Sequence, residues 1–489
     1  MKTKAIYTKP KKASLELSKM EMQKKELVRS VLCDFEERKI KRKSQELQWR
    51  LNLDFYMGRQ NNFITNFETL ATAGKQFHWQ RNESFNHIAA IIESRMSKLS
   101  HHKFDIEPVV FDTGDLGKIT IELCKKIMES AFAKTKLDEV MSQALMWSEV
   151  TGSAFYKVFW DNDAGKTVGV LKSGETEQQI TEGDVRISVC SPFEIFPDNL
   201  NAVDIGELQS IIHAKSISVH SVKEIWGVDL GYLGLEQVTV IEKYQMPNAS
   251  HQRGRLVIIA HETLVYDGDL AYKNEKDDRY GLPFIRQASE QFVGSFFGKS
   301  VVERAIPVQR AYNIIKNRKV EFFNRMACGV LAIEEGSVDI DALENEGLCP
   351  GKIVVYRSGA AVPKFLDVGT LPVELEREEE RLLREFETIT GGEITRTGGS
   401  VSGVALAIMT EQDQMRLGRT LQGIERAKSD IACHVLRLYK QFATTKRLES
   451  IVEDGGKIEF FDFDATNISC DNVRIVSRVV SNGGMTSIN

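Results

Sequence analysis

KSVVERAIPVQRAYNIIKNRKVEFFNRMACG, residues 299–329, is the stretch on which the reading of the whole chain turns. Ser300 and Glu303 have capping-box spacing, in which a hydroxyl and a carboxylate reciprocally satisfy the free amides at a helix start. Pro307 permits a kink or restart, and Gly329 can take the backbone conformation that ends a helix. Residues 308–327 are therefore expected to form one helix of about 30 Å, at 1.5 Å per residue.

Downstream, residues 328–372 interrupt the helix with Gly336, Gly347, Pro350, Gly351 and Gly359. They read as a small α/β insert, with strands GVLAIEE and KIVVYRSG around DIDALENEGL. A second helix is expected over 373–389, with apolar positions Leu375, Leu382, Phe386 and Ile389. Glu374, Glu376, Glu378, Glu379, Glu380, Glu385 and Glu387 make the rest of it strongly acidic. TGGEITRTGGSVSG, residues 390–403, holds five glycines and few apolar side chains, so a mobile loop is expected. A long helix over 404–444 and two strand candidates in the tail complete this half.

Upstream lie short strand candidates, VRISVCSPFEIFP, LQSIIHAKSI, VTVIEKYQMP and RLVIIAHETLVYDG, each bounded by turn residues. AFYKVFWDNDAGK reads as a strand entering a hairpin at Asp161, Asn162 and Gly165. Helical patterns precede these strands, which gives a helix-rich α+β body. The first fifty residues read as a peripheral helical arm. Its cluster Arg38, Lys39, Lys41, Arg42 and Lys43 fits a solvated helix face better than a DNA patch.

The 489 residues carry 64 basic and 69 acidic side chains, a formal charge of −5, which argues against tight nonspecific wrapping of nucleic acid. No apolar run approaches the roughly 20 residues of a membrane span, and the N-terminus has no secretion-signal pattern, so folding in the cytoplasm is expected. The 7 cysteines are scattered, with no CxxC pair, and read as buried free thiols.

Candidate reaction centres are weak. Gly398–Gly403 resembles a phosphate loop, but Val404 stands where its lysine is needed. His101 and His102 diverge on any regular backbone and lack further ligands nearby. Ser100 and Lys103 match SxxK without its accompanying elements. Asp462 and Asp464 would share one strand face and could hold a divalent cation, so a metal-dependent nuclease is the alternative from another class. The expectation is a protein without catalytic residues, metal or cofactor.

The order of α+β body, helix, insert, acidic helix, glycine-rich loop and long helix resembles the portal proteins of tailed bacteriophages. WRLNLDFYMGRQ, ALMWSEVTGSAFYKVFWDNDAG, CSPFEIFPDN, VVERAIPVQRAYN, SVSGVALAIMTEQD and LRLYKQFA are similar to stretches common in that family. The resemblance implies a basic arm over 1–50, a wing over 51–298, stem helices at 299–327 and 373–389, and a clip at 328–372 between them. It implies a tunnel loop at 390–403, a long wing helix at 404–444, and C-terminal strands forming a short crown over 445–489.

It further implies a dodecameric head-to-tail ring in the virion, through which double-stranded DNA is packaged and ejected. The partners it implies are the large terminase subunit, a head-tail adaptor, and capsid and scaffolding proteins, with no membrane. Thr395, Arg396, Thr397 and Ser400 would face DNA in the tunnel loop. Lys316, Arg318, Lys319, Glu378, Glu379 and Glu385 would line the stem, with ion pairs between neighbouring chains favoured for the three basic residues. Another structural ring component of the virion is the remaining alternative.

Overall fold

The computed structural model describes residues 11–75, 80–100, 102–110, 115–173, 176–273, 281–341, 343, 353–366, 369–391, 403–443, 447–452, 458–463 and 473–480. It opens with helix α1, Lys11–Tyr56, which runs unbroken past residue 50 because no Gly or Pro interrupts it before Gly58. Its basic cluster is neither a DNA patch nor a uniformly solvated face. Arg38 and Arg42 lie one turn apart and are both buried. Arg38 donates to the carbonyls of Phe196 and Ser210, and Arg42 to those of Pro192, Phe193 and Ile195. These two residues clamp α1 to the segment from Pro192 to Ser210, while the side chains of Lys39 and Lys43 stay in solvent. Buried charge is tolerated here because backbone carbonyls replace the lost water.

Two short strands, β1 (Asn62–Ile64) and β2 (Leu70–Thr72), precede α2 (His87–Ser100), β3 (Lys103–Val110), α3 (Asp115–Thr135) and α4 (Leu137–Thr151). β4 (Ser153–Asp161) pairs with β7 (Asp184–Cys190) and with β13 (Phe284–Ala288). The turn after β4 therefore does not close the hairpin expected from the sequence. A separate hairpin, β5 (Thr167–Ser173) and β6 (Thr176–Thr181), is inserted between β4 and its partner. β8 (Ile195–Pro197), β9 (Ser210–Ser218), β10 (Gln237–Gln245), β11 (Arg255–Ala260) and β12 (Thr263–Gly268) form an antiparallel sheet in the order β12-β11-β10-β9-β8, with α5 (Val219–Trp226) between β9 and β10.

Helix α6, Val301–Cys328, is one helix of 28 residues, about 42 Å long. It starts earlier than the expected 308 because Pro307 lies in its second turn, where few intrahelical bonds precede it. The capping box is half formed in the expected way. The Ser300 hydroxyl accepts from Val302 rather than Glu303, while the Glu303 carboxylate accepts from the Ser300 amide.

β14 (Val330–Ala332) pairs with β15 (Lys364–Leu366), so the return strand is not the expected KIVVYRSG. Within that segment, residues 353–359 have no strand, and Ile353 and Val355 are strongly exposed. Helix α7 spans Val373–Thr390 and α8 Gly403–Phe442, close to the expected bounds. β16 (Arg447–Val452) pairs with β17 (Ile458–Phe463), and β18 (Val473–Val480) pairs along the whole of β3. The last strand thus returns to the body near the front of the chain.

The largest core joins α8 to this body. Ile431, Val435, Leu436 and Tyr439 of α8 pack with Ile127 and Met128 of α3 and with Tyr156 and Val158 of β4. A second core holds the inner part of α6 and α7 against α1 and α2, through Val302, Ile306, Leu382, Phe386, Phe55 and Ile92. Burying each such side chain contributes about 1.5–3 kcal/mol before entropy is counted. Of the cysteines, Cys124 and Cys190 are buried free thiols as expected, whereas Cys33 is exposed.

Candidate functional site

The helical hairpin of α6 and α7 is held by three sets of polar contacts. At mid-length, Lys316 Nζ lies 2.5 Å from Glu379 Oε1, Lys319 Nζ lies 2.7 Å from Glu379 Oε2, and the Tyr312 hydroxyl donates to Glu379 at 3.3 Å. Lys316 and Lys319 therefore pair within their own chain, a correction to the favoured interchain pairing. Adjacent antiparallel helices place the acceptor one helix diameter away. Arg318 points elsewhere, to Glu321 on its own helix at 3.1 Å.

Burial opposes ionisation of Glu379, but hydrogen bonds from the two lysines outweigh it and hold its carboxyl below the usual range. The lowered folded-state value means this contribution is present above the ordinary carboxylate range and is lost as pH falls through it. Glu379→Gln is expected to cost about 1 kcal/mol, read as a lower urea midpoint.

The second set runs along α6. Gln309, Asn313, Asn317 and Glu321 are spaced four apart and form one buried stripe. Their side-chain oxygens accept from the backbone amides of His87, Phe85, Glu83 and Arg81 respectively, at 3.0–3.1 Å. Gln309 and Asn317 also donate back to the carbonyls of Phe85 and Glu83. An extended segment is thus hydrogen-bonded to a helix as it would be to a strand.

The third set is at the root. Arg95 Nε and Glu149 Oε2, both buried, form an ion pair at 2.7 Å. Arg95 also donates to the carbonyl of Thr390, the last residue of α7, and Ser300 at the head of α6 donates to the carbonyl of Glu149. Ser289 fills the second carboxylate oxygen of Glu149, and its own carbonyl accepts from Thr420 of α8. One buried pair therefore ties both hairpin helices to the body.

The chain crosses itself closely here. A Cβ on Gly152, which has φ +94°, would lie 2.3 Å from the Gly298 carbonyl oxygen. Gly152→Ala is expected to lower stability by about 3 kcal/mol or more in thermal unfolding. Gly227→Ala, at φ +69° with nothing within 4 Å, is the control for backbone strain alone and should cost about 1–2 kcal/mol.

Of the sequence-derived residues, Thr395, Arg396, Thr397 and Ser400 lie outside the described residues. Glu378 pairs with Arg381 on its own helix at 2.7 Å, whereas Glu374, Glu376 and Glu385 are exposed and bond to no described residue. His101, Asp464 and the side chain of Asp462 also lie outside the described residues.

Sequence reasoning missed the cluster of Cys190, Glu194 and His213, in which Cys190 and His213 are buried and Glu194 half-buried. His213 lies between Glu194 at 3.4 Å and Glu242 at 3.2 Å, and Lys157 meets Glu242 at 2.5 Å. Burial opposes protonation of His213, but hydrogen bonds with Cys190, Glu194 and Glu242 raise its pKa well above the ordinary histidine value. The stripe on α6 was legible in principle, as Gln, Asn, Asn and Glu at every fourth position of a helix otherwise expected to pack apolar side chains.

The described residues form an α+β body carrying a helical hairpin with an insert between its two helices. Residues 242–483 match the phage P22-like portal protein family. The match runs from within β10 through β18, including the hairpin, its insert and α8, and it supports a phage portal protein, as the sequence resemblance implies. That family is structural. No curated protein matches the chain. No described helix is long and apolar enough to cross a membrane.

Proposed function

We propose that this chain builds the dodecameric ring at the portal vertex of a tailed phage, conducting DNA inward during packaging and outward on ejection. The observation that carries the reading is the family match across the helix–insert–helix–long helix order. In it α6 and α7 are the stem, residues 328–372 the clip, 390–403 the tunnel loop carrying Thr395, Arg396, Thr397 and Ser400, and residues 51–298 the wing. The clip docks the large terminase subunit and later the head-tail adaptor. The wing and the short C-terminal crown meet capsid and scaffolding proteins.

Two features favour a ring. Ile353, Val355, Phe365 and Leu366 leave an apolar surface on the insert, of the kind a neighbouring copy covers. A closed ring needs one heterologous patch repeated around an axis. The free carboxylates of Glu374, Glu376 and Glu385 give the stem a negative surface that phosphates do not grip.

Native mass spectrometry of the full chain tests the reading. A closed ring of about twelve 55.2 kDa copies is expected. Val355→Asp with Phe365→Asp should shift the population toward single chains; single chains for the parent protein at all concentrations would contradict the proposal.

A further inference from the structure

A cleft of about 270 Å³ lies where α8 passes β13, and its charged lining is entirely cationic: Arg286, Arg419 and Arg426, with Gln291 and Gln422 beside them. Arg419 and Arg426 are seven residues apart, two turns along one face of α8. Both are exposed, and neither forms a hydrogen bond or ion pair with a described residue. Arg286 is fixed in place by donating to the carbonyls of Phe296 and Val203, with its guanidinium over the Phe296 ring. The carboxylates of Asp204 and Asp430 line a neighbouring cavity that shares Arg286.

The arginines also repel one another. Burial lowers the Arg286 pKa, and the Arg426 charge lowers it further against the pull of Asp204 and Glu207. Arg419 acts in the same direction on Arg304, behind burial and Arg95. Asp204 and Glu207, and Asp430 beside Arg426, offset part of this repulsion, but none of them lines the cleft, so an anion entering it would relieve the remainder.

We propose that this cleft is a phosphate-binding site. A carboxylate has two oxygens, which one or two guanidinium forks saturate, whereas the forks of Arg419 and Arg426, the remaining Arg286 donors and the Gln422 amide offer more donors than it can use. A phosphate group accepts from several forks at once and matches their planar geometry. The source assigned is the backbone of DNA travelling through the ring, so the assignment of source rests on the portal reading; the site itself does not.

The test compares the full-length protein with Arg419→Gln/Arg426→Gln, both exposed changes that leave Arg286 and the core intact. Inorganic phosphate should raise the melting temperature of the parent saturably and that of the variant much less. A fluorescent 20-base-pair duplex should bind the variant roughly tenfold more weakly, with the slope of log affinity against log salt reduced by about one.

A phosphate effect without a duplex effect keeps the site and gives it to a free phosphate, overturning the DNA source. Equal phosphate and duplex responses in parent and variant overturn the site. Lost ring assembly with unchanged phosphate binding also overturns it and assigns the arginines to an acidic segment of a neighbouring copy. Phosphate binding by a protein that forms no ring would leave the site standing and remove the portal reading.

Discussion

Replacing Arg95 by alanine is expected to destabilise the protein by about 3–5 kcal/mol, because it leaves the buried Glu149 carboxylate without its cation. The loss reaches beyond one ion pair. Arg95 also caps the end of α7 through the Thr390 carbonyl, and Glu149 receives Ser289 on its other oxygen and Ser300 on its carbonyl. Arg95→Met with Glu149→Leu removes both charges together and should recover much of the loss. Urea unfolding of the parent, Arg95→Met, Glu149→Leu and the double variant gives the coupling energy directly. A single Arg95→Ala midpoint equal to the parent would show that the pair does not hold the hairpin to the body.

The second large effect is expected at Asn317. Leucine fills a similar volume but offers neither donor nor acceptor, so the Glu83 amide and carbonyl both lose their partner. Glu83 is itself exposed, so water can reach its freed groups and each lost hydrogen bond costs about 0.5–1.5 kcal/mol, which places Asn317→Leu at roughly 1–3 kcal/mol. Hydrogen exchange distinguishes this from a general loss of packing. Exchange at Arg81, Glu83, Phe85 and His87 should accelerate well before exchange in β9 and β10. Uniform acceleration through the body would contradict a local role for the stripe.

These two sites show what the sequence could and could not carry. The existence and order of α6, α7 and α8 were legible because apolar spacing and acidic runs persist over many turns, and periodicity is strongest in long elements. The family resemblance was legible from dispersed local stretches, and the match over 242–483 agrees with it. Pairings were not legible. Nothing local to β4 says that its neighbours are β7 and β13 rather than β5, because pairing is set by contacts far apart in the chain.

Charge was the least legible property. Arg38 and Lys39 are adjacent in sequence, yet one guanidinium is buried on carbonyls and the other side chain is in solvent. Lys316 and Lys319 were assigned acceptors on a neighbouring chain, whereas Glu379 lies across the hairpin. A charge declares its partner only when the packing of its helix is known, and that packing comes from the apolar residues around it.

The most direct measurement of the portal reading is electron microscopy of the purified full-length protein, with class averages viewed down the symmetry axis. Closed rings with a central hole at least as wide as a DNA duplex, about 20 Å, and with the α6–α7 hairpins grouped about the axis, are the result it requires. Monodisperse single chains or dimers across a range of salt and concentration would contradict it.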